Sequence, residues 1–296
     1  MNDFVGVGIL YNRSLDTLLD TVPDAVDYIE IIPDTWFSDK GVGAAGRFDM
    51  FPAYEKRILE LGQRWPLVAH HVGFSLGTAG YFDEAYLDNV IRLQEQFGFL
   101  WNSDHLSYSK VHDEEVTEYS TCLALPLTFD EEVMEMLTGK IGQIKEKVDT
   151  PFLMENNVYF VKFNEEKYEE GAFLAELCNR SGCGLLLDLH NVHANATNFN
   201  FDRKQFIDSL DLKDVVEIHI AGGNVIGEMY LDSHSGRCND EVWELLDYVV
   251  PNCPNLRGVT FEFHESYFNT MGNEGILEQL EHARAICLKS KNIVCP

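Results

Sequence analysis

The stretch PFLMEN at 151–156 decides how this chain is read. Behind a proline, three apolar residues in a row suit a strand buried on both faces, yet the run ends on a carboxylate and an amide. A buried carboxylate without a partner is costly, so that ending asks for a cation or a donor. The same construction recurs in PLVAHH (66–71), FLWNSDH (99–105), GLLLDLHN (184–191), VVEIHIAG (215–222) and GVTFEFHE (258–265). Each apolar run stops on a histidine or an acid. If the strands are parallel, their polar ends meet at one face, where histidines 70, 105 and 219 would converge with carboxylates 104, 155, 188 and 262. That is the ligand mixture of a transition-metal site.

Two further apolar runs, VGVGIL (5–10) and DYIEII (27–32), bring the strand count to eight. Between the strands, apolar residues three and four apart mark helices in SLDTLLDTV (14–22), FDMFPAYEKRILELG (48–62), FDEAYLDNVIRLQEQFG (82–98) and FDEEVMEMLTGKIGQIKEKV (129–148). The pattern continues in YEEGAFLAELCNRSG (168–182), FDRKQFIDSL (201–210), DEVWELLDYVV (240–250) and EGILEQLEHARAICLKS (274–290). Eight β/α units predict an α/β protein with a single (β/α)8 TIM-barrel domain spanning 1–296. A doubly wound sheet would carry a glycine-rich phosphate turn after its first strand, where this chain has YNRSL (11–15). Segments entering strands are short, such as VDTP (148–151), whereas those leaving them are long, such as 107–128 and 221–237. That asymmetry builds up the face where barrel enzymes carry their sites.

The bulk composition agrees with one large soluble domain. The 296 residues are 45% hydrophobic and 24% charged, without a linker, a tandem repeat or a low-complexity tract. The seven cysteines, at 122, 178, 183, 238, 253, 287 and 295, hold no CxxC pair. They read as reduced thiols in a cytoplasmic protein. No signal peptide or membrane span is expected. With 49 acidic and 22 basic residues, the net charge of −27 argues against nucleic acid and anionic membranes as partners. Absence of GxSxG, P-loop and HExxH motifs leaves nucleophilic hydrolysis and phosphate cradling without their usual supports.

Position sharpens the candidates. His70, His105 and His219 each close a strand, whereas His71 should point to the opposite side of its strand. Glu155 and Asp188 end apolar runs, and Asp188 could instead cap a following turn. Asn191 could ligate through its amide oxygen or orient Asp188. Asp232 and His234 lie two apart on a loop, as do Glu262 and His264 at the last strand, with Glu262 the better ligand of that pair.

Together the motifs resemble the DUF692 family, the multinuclear non-haem iron-dependent oxidases. VAHHVGFSLG (68–77) is similar to that family's HGVGLS motif, SDHLSY (103–108) to SEHLSW, and MENNVYF (154–160) to ENxxxY. LLLDLHNVHANATN (185–198) resembles LLDxxNxYxxxxN, EIHIAGG (217–223) resembles HLAG, and LDSH (231–234) resembles DTH followed by DEVWELL (240–246). The matches run in family order over most of the chain. The resemblance implies a TIM barrel whose metal ligands are His70, His105, Glu155, Asp188, Asn191, His219, Asp232, His234 and Glu262. Glu155, His105 and Asp188 are expected to carry catalysis, and Glu155 to bridge two cations.

Two or three irons in a mixed Fe2+/Fe3+ state are implied, with O2 as co-substrate. The implied substrate is a residue, cysteine foremost, of a ribosomally made precursor peptide, and family members often work with a separate leader-binding partner protein. The alternative is a divalent-metal barrel isomerase or hydrolase of the xylose-isomerase-like or endonuclease IV-like type. The chain departs from the family pattern at His71, at His190 where asparagine is frequent, and at EFH (262–264). With His193 and His264, these histidines could add a ligand or a proton-transfer group.

Overall fold

The computed structural model describes residues 4–112, 118–163 and 167–291. All eight expected strands form, as β1 (Gly6–Leu10), β2 (Tyr28–Ile31), β3 (Leu67–His70), β4 (Asn102–His105), β5 (Phe152–Glu155), β6 (Gly184–Asp188), β7 (Val215–Ala221) and β8 (Gly258–Glu262). They close into a barrel in the order β1-β8-β7-β6-β5-β4-β3-β2, and every ladder whose register is resolved is parallel. Helices α1 (Asp16–Thr21), α2 (Pro52–Gly62), α3 (Glu84–Phe97), α4 (Glu131–Lys147), α5 (Glu170–Ser181), α6 (Leu189–Phe199), α7 (Arg203–Asp208), α8 (Asp240–Val249) and α9 (Phe268–Lys291) fill the connections. The chain divides into two compact units, Met1–Glu30 with Leu185–Pro296, and Ile31–Gly184.

Within the first of these units, strand alternation stacks two polar layers. Tyr28 and Glu30, Glu217 and His219, and Thr260 and Glu262 are each two residues apart, so each pair faces one side of its strand. In the lower layer the Tyr28 hydroxyl lies 2.7 Å from Thr260 Oγ1 and donates to Glu217 Oε1 at 3.1 Å, while Thr260 donates to the same oxygen at 2.7 Å. Two glycines make room for this tyrosine. A Cβ at Gly8 would sit 2.5 Å from the Tyr28 ring, and one at Gly258 2.5 Å from its hydroxyl.

In the Ile31–Gly184 unit, β3, β4 and β5 pair so that His105 lies beside Glu155 and Ala69 beside Asn102. The loop after β3 is stitched to its surroundings. Ser75 Oγ accepts from the backbone N–H of Ser109 and Lys110 at 2.7 and 3.1 Å, and Thr78 Oγ1 donates to the Lys110 carbonyl at 2.7 Å. From α4, the buried Lys140 ammonium donates to the carbonyls of Leu76, at 2.8 Å, and Thr78. Arg47 is also buried, and it binds Asp39 at 2.7 Å and Asp83 at 2.9 Å. Those bonds tie the hairpin of Phe37–Asp39 and Phe48–Met50 to the start of α3.

Local structure differs from expectation in four places. Residues 48–50, read as the start of a helix, form a strand, and the helix begins at Pro52, where a fixed φ suits its first position. Two of the long connections contain hairpins, Tyr108–His112 with Glu118–Leu125 and Asn224–Ile226 with Met229–Leu231. Residues 113–117, between the strands of the first hairpin, lie outside the described residues. Helix α6 gave no sequence signal because its first eight residues are all buried, so no solvent-facing side interrupts the pattern.

Five of the described cysteines are buried, Cys122 is exposed, and none of these six forms a disulfide; Cys295 lies outside the described residues. No described helix is long and apolar enough to cross a membrane.

Lys140 gives a test of this packing. Burial pushes its ammonium from 10.5 down to about 8. Between those values the unfolded chain holds the proton more tightly than the folded one, so Lys140 makes stability rise with pH across that window. We expect Lys140→Met to abolish that rise and, by stranding two carbonyls, to cost about 1–3 kcal/mol at neutral pH. Denaturant unfolding of both proteins from pH 7 to 10.5 checks it, and an unchanged pH slope would refute the assignment.

Candidate metal centre

In the Ile31–Gly184 unit the ends of β3, β4 and β5 bring His70, His105 and Glu155 together. Glu155 Oε2 lies 3.3 Å from His70 Nε2 and 3.1 Å from His105 Nε2, and the two imidazole nitrogens are 3.4 Å apart. The other ring nitrogen of His70 faces the Ser103 hydroxyl at 2.8 Å, which turns Nε2 toward the carboxylate. His70 and Glu155 are buried, whereas the His105 side chain keeps 24% of its surface exposed and so gives the group its access to solvent.

Two neighbours in sequence do not join this group. His71 is fully buried on the other side of β3, within 3.0 Å of Asn102 Oδ1, and burial lowers its affinity for a proton. Asp104 was expected to converge with the histidines. Strand alternation turns it away from His105, and its carboxylate instead accepts the backbone N–H of Phe74 at 3.0 Å. Burial, reinforced by Asp34, raises its pKa well above the usual carboxylate range.

The other unit holds two groups. In the upper polar layer, His219 lies between two acids, with Nε2 3.0 Å from Glu30 Oε2 and Nδ1 3.2 Å from Glu262 Oε2. Burial opposes protonation of His219, yet Glu262 and Glu30 outweigh it and raise its pKa well above 6.5. Burial likewise opposes ionisation of Glu262, but His219 and His234 prevail and hold it at about 2. Glu30 Oε1 is buried without a hydrogen-bond partner among the described residues, and desolvation dominates that group.

The second group starts on α6 and ends on the loop after β7. His190 Nδ1 lies 3.0 Å from Asp232 Oδ1, and His234 Nε2 lies 2.9 Å from the same oxygen. Tyr230 places its hydroxyl 3.2 Å from His190 Nε2, which directs Nδ1 at Asp232. Against burial, Asp232 and Glu262 raise His234 to about 10. His234 carries a positive φ of 46°, so the chain bends back there and its ring returns toward Asp232. Glu262 connects the two groups of this unit, since its Oε2 is also 3.7 Å from His234 Nε2.

Asp188 caps α6, accepting the Asn191 backbone N–H at 2.7 Å. Burial, and then the neighbouring charge of Glu262, push its carboxyl up to about 6. Asn191 therefore orients Asp188 through its main chain, while its side chain is buried in the first turn of α6. His264 stays exposed and caps the short helix at Glu265–Tyr267.

In each of the three groups, His70/His105/Glu155, Glu30/His219/Glu262 and His190/Asp232/His234, one ligand atom per residue lies within 4.8 Å of the others. Sequence reasoning missed Glu30 and offered His190 only as an added ligand or proton-transfer group outside the implied ligand set. The signal for Glu30 was present two residues beyond Tyr28, on the face that β7 and β8 fill with His219 and Glu262.

Similarity to known proteins narrows the reading. Curated relatives include a UPF0276 protein of Vibrio parahaemolyticus, 31% identical over 250 residues covering 83% of this chain and 81% of that one. Another is a UPF0276 protein of Bordetella pertussis, 32% identical over 239 residues covering 79% of this chain and 77% of that one. Among solved structures, the zinc-bound IOLI protein matches with a TM-score of 0.58 at 15% identity, over 97% of this chain and all of that one. Endonuclease IV of Thermus thermophilus matches with a TM-score of 0.55 at 15% identity, over 96% and 98% of the two chains. At such identity these structures establish the TIM-barrel fold alone. The profile of the RiPP precursor modification enzymes MbnB/TglH/ChrH matches residues 5–287, nearly the whole chain, and to that family this protein belongs.

Proposed function

We propose that this protein is an iron-dependent oxidase that uses O2 to modify a residue, cysteine foremost, of a ribosomally synthesised precursor peptide. Membership of a precursor-modifying family carries the substrate class. The donor chemistry supports the metal. Two of the three groups contain two imidazoles and one carboxylate, the set that non-haem iron oxygenases use with coordination positions left open. When bound, iron would supply O2 activation and a Lewis-acid site for a substrate thiolate.

The chain's own residues divide into ligands and supports. His70, His105 and Glu155 would hold one ion, and His190, Asp232 and His234 another. A metal-bound imidazole usually keeps its second nitrogen on a carboxylate. His219 fits that arrangement if Nδ1 faces the metal beside Glu262 and Nε2 is held by Glu30. Glu30 would then be a positioning residue, and Glu262, within reach of both His219 and His234, would help hold the ions at both of them, in addition to the two-cation role expected of Glu155. Asp188 and Asn191 would complete the set from the start of α6, and Asp188, Glu155 and His105 are the residues proposed to carry catalysis. Ser103 and Tyr230 fix ring orientation at His70 and His190.

Metal quantification separates these roles. We expect Glu262→Gln to remove more than about one equivalent of iron, because a shared carboxylate holds two ions. Glu30→Gln should leave the saturating stoichiometry intact and weaken binding by about 10–100-fold, the usual effect of losing a partner behind a ligand. Equal stoichiometry in both variants would overturn the division.

The activity is tested by loading the protein with iron under anaerobic conditions and adding a cysteine-containing precursor peptide, with and without its leader-binding partner, before admitting O2. Iron-dependent O2 consumption with a peptide mass change is expected, and His105→Ala should abolish both. Tight binding of zinc alone with no O2 consumption, or turnover of a sugar with Mg2+ or Mn2+ without O2, would instead establish the isomerase or hydrolase alternative.

A further inference from the structure

The joint between α5 and β6 holds two cysteines in contact. Cys178 lies in the last turn of α5 and Cys183 immediately precedes β6, and their sulfurs are 3.8 Å apart. They are five residues apart in sequence, and the chain must fold back to bring them together. Gly182 supplies the bend at a φ of 68°, its N–H donating to the Cys178 carbonyl at 2.8 Å. Ser181 Oγ accepts the Cys183 N–H at 3.2 Å while donating to the Leu177 carbonyl at 2.7 Å. From α4, the Lys145 ammonium donates to the Ser181 carbonyl at 3.0 Å and to that of Gly182.

From this geometry we infer that Cys178 and Cys183 form an oxidisable dithiol that closes to an intramolecular disulfide in the folded protein. A disulfide needs its sulfurs about 2.05 Å apart, so closure asks for a side-chain movement of under about 2 Å. The hydrogen bonds around Gly182 already hold the backbone of the joint. Each residue is only 4% exposed, which restricts the reaction to a small oxidant such as hydrogen peroxide.

The chemistry balances with that oxidant. One thiol sulfur attacks the peroxide, the O–O bond breaks, and a sulfenic acid and one water result. The second sulfur then attacks the first and displaces hydroxide, which leaves as a second water with the remaining thiol proton. Two thiols are oxidised by two electrons and one peroxide is reduced to two waters. An apolar contact across a helix end, without redox chemistry, is the competing explanation of the same sulfur distance.

Peptide mapping of the full chain distinguishes them. Trypsin cuts after Lys167, Arg180 and Arg203, so Cys178 and Cys183 fall on separate peptides, 168–180 and 181–203. The native protein is treated with hydrogen peroxide, its remaining thiols are blocked with iodoacetamide, and circular dichroism is recorded before digestion. We expect loss of two thiols, one cross-linked species that dithiothreitol separates into these two peptides, and an unchanged spectrum. Cys178→Ala and Cys183→Ala should each abolish the cross-link while retaining the native spectrum. Separately alkylated Cys178 and Cys183 after oxidation, a cross-link that forms only once the spectrum shows unfolding, or pairing of either residue with another cysteine would overturn the proposal.

Discussion

A fully buried imidazole between two buried carboxylates is the constraint on which the Met1–Glu30/Leu185–Pro296 unit depends. His219 cannot neutralise both Glu30 and Glu262, and transferring ions from water into a protein interior costs several kcal/mol each even after relaxation. The three groups respond by shifting against one another. His219 holds its proton tightly, Glu262 is kept ionised, and Glu30 is driven by desolvation toward its neutral form. A cation at Nδ1 of His219 would remove the conflict, since the imidazole could then lose one proton and both acids would still face positive charge. The excess of carboxylates is intelligible as a site made to accept metal, and less so as packing.

The barrel itself was legible because a strand buried on both faces reads as an apolar run, and β3, β4, β5, β6 and β8 each announced their end with a polar residue, while β7 runs two residues past His219. Alternation then sorted the polar ends. It correctly separated His71 from His70, and the same rule, applied to Asp104 beside His105, turns Asp104 away from the histidines it was expected to meet. Glu30 was hidden because DYIEII ends in apolar residues, so its acid looked like an interruption of a strand. Its role emerges only when β2, β1, β8 and β7 are laid side by side, with Glu30 and His219 189 positions apart in the chain.

The second group was legible only in part for a different reason. Asp232 and His234 share a side of an extended segment by spacing alone, but their partner His190 comes from a helix that the hydrophobic pattern did not show. The first turn of α6 must be buried to offer Asp188, His190 and Asn191 to the same region, and burial on all sides erases the period by which amphipathic helices are recognised. Function and legibility therefore oppose each other at this point in the chain.

Beneath the upper polar layer, Tyr28, Thr260 and Glu217 are more than filler. The tyrosine ring lies where side chains of Gly8 and Gly258 would otherwise sit, so two residues of β1 and β8 give up their Cβ to admit one aromatic from β2. Its hydroxyl and that of Thr260 both donate to Glu217 Oε1, which lies 3.8 Å from His219 Nε2. Burial and the adjacent Glu217 charge keep the Tyr28 phenol protonated and hence a donor. With its acid already bonded from below, Glu217 competes weakly for the imidazole. The Nε2 of His219 is left to Glu30, and the ring orientation that turns Nδ1 toward Glu262 follows from the floor upward.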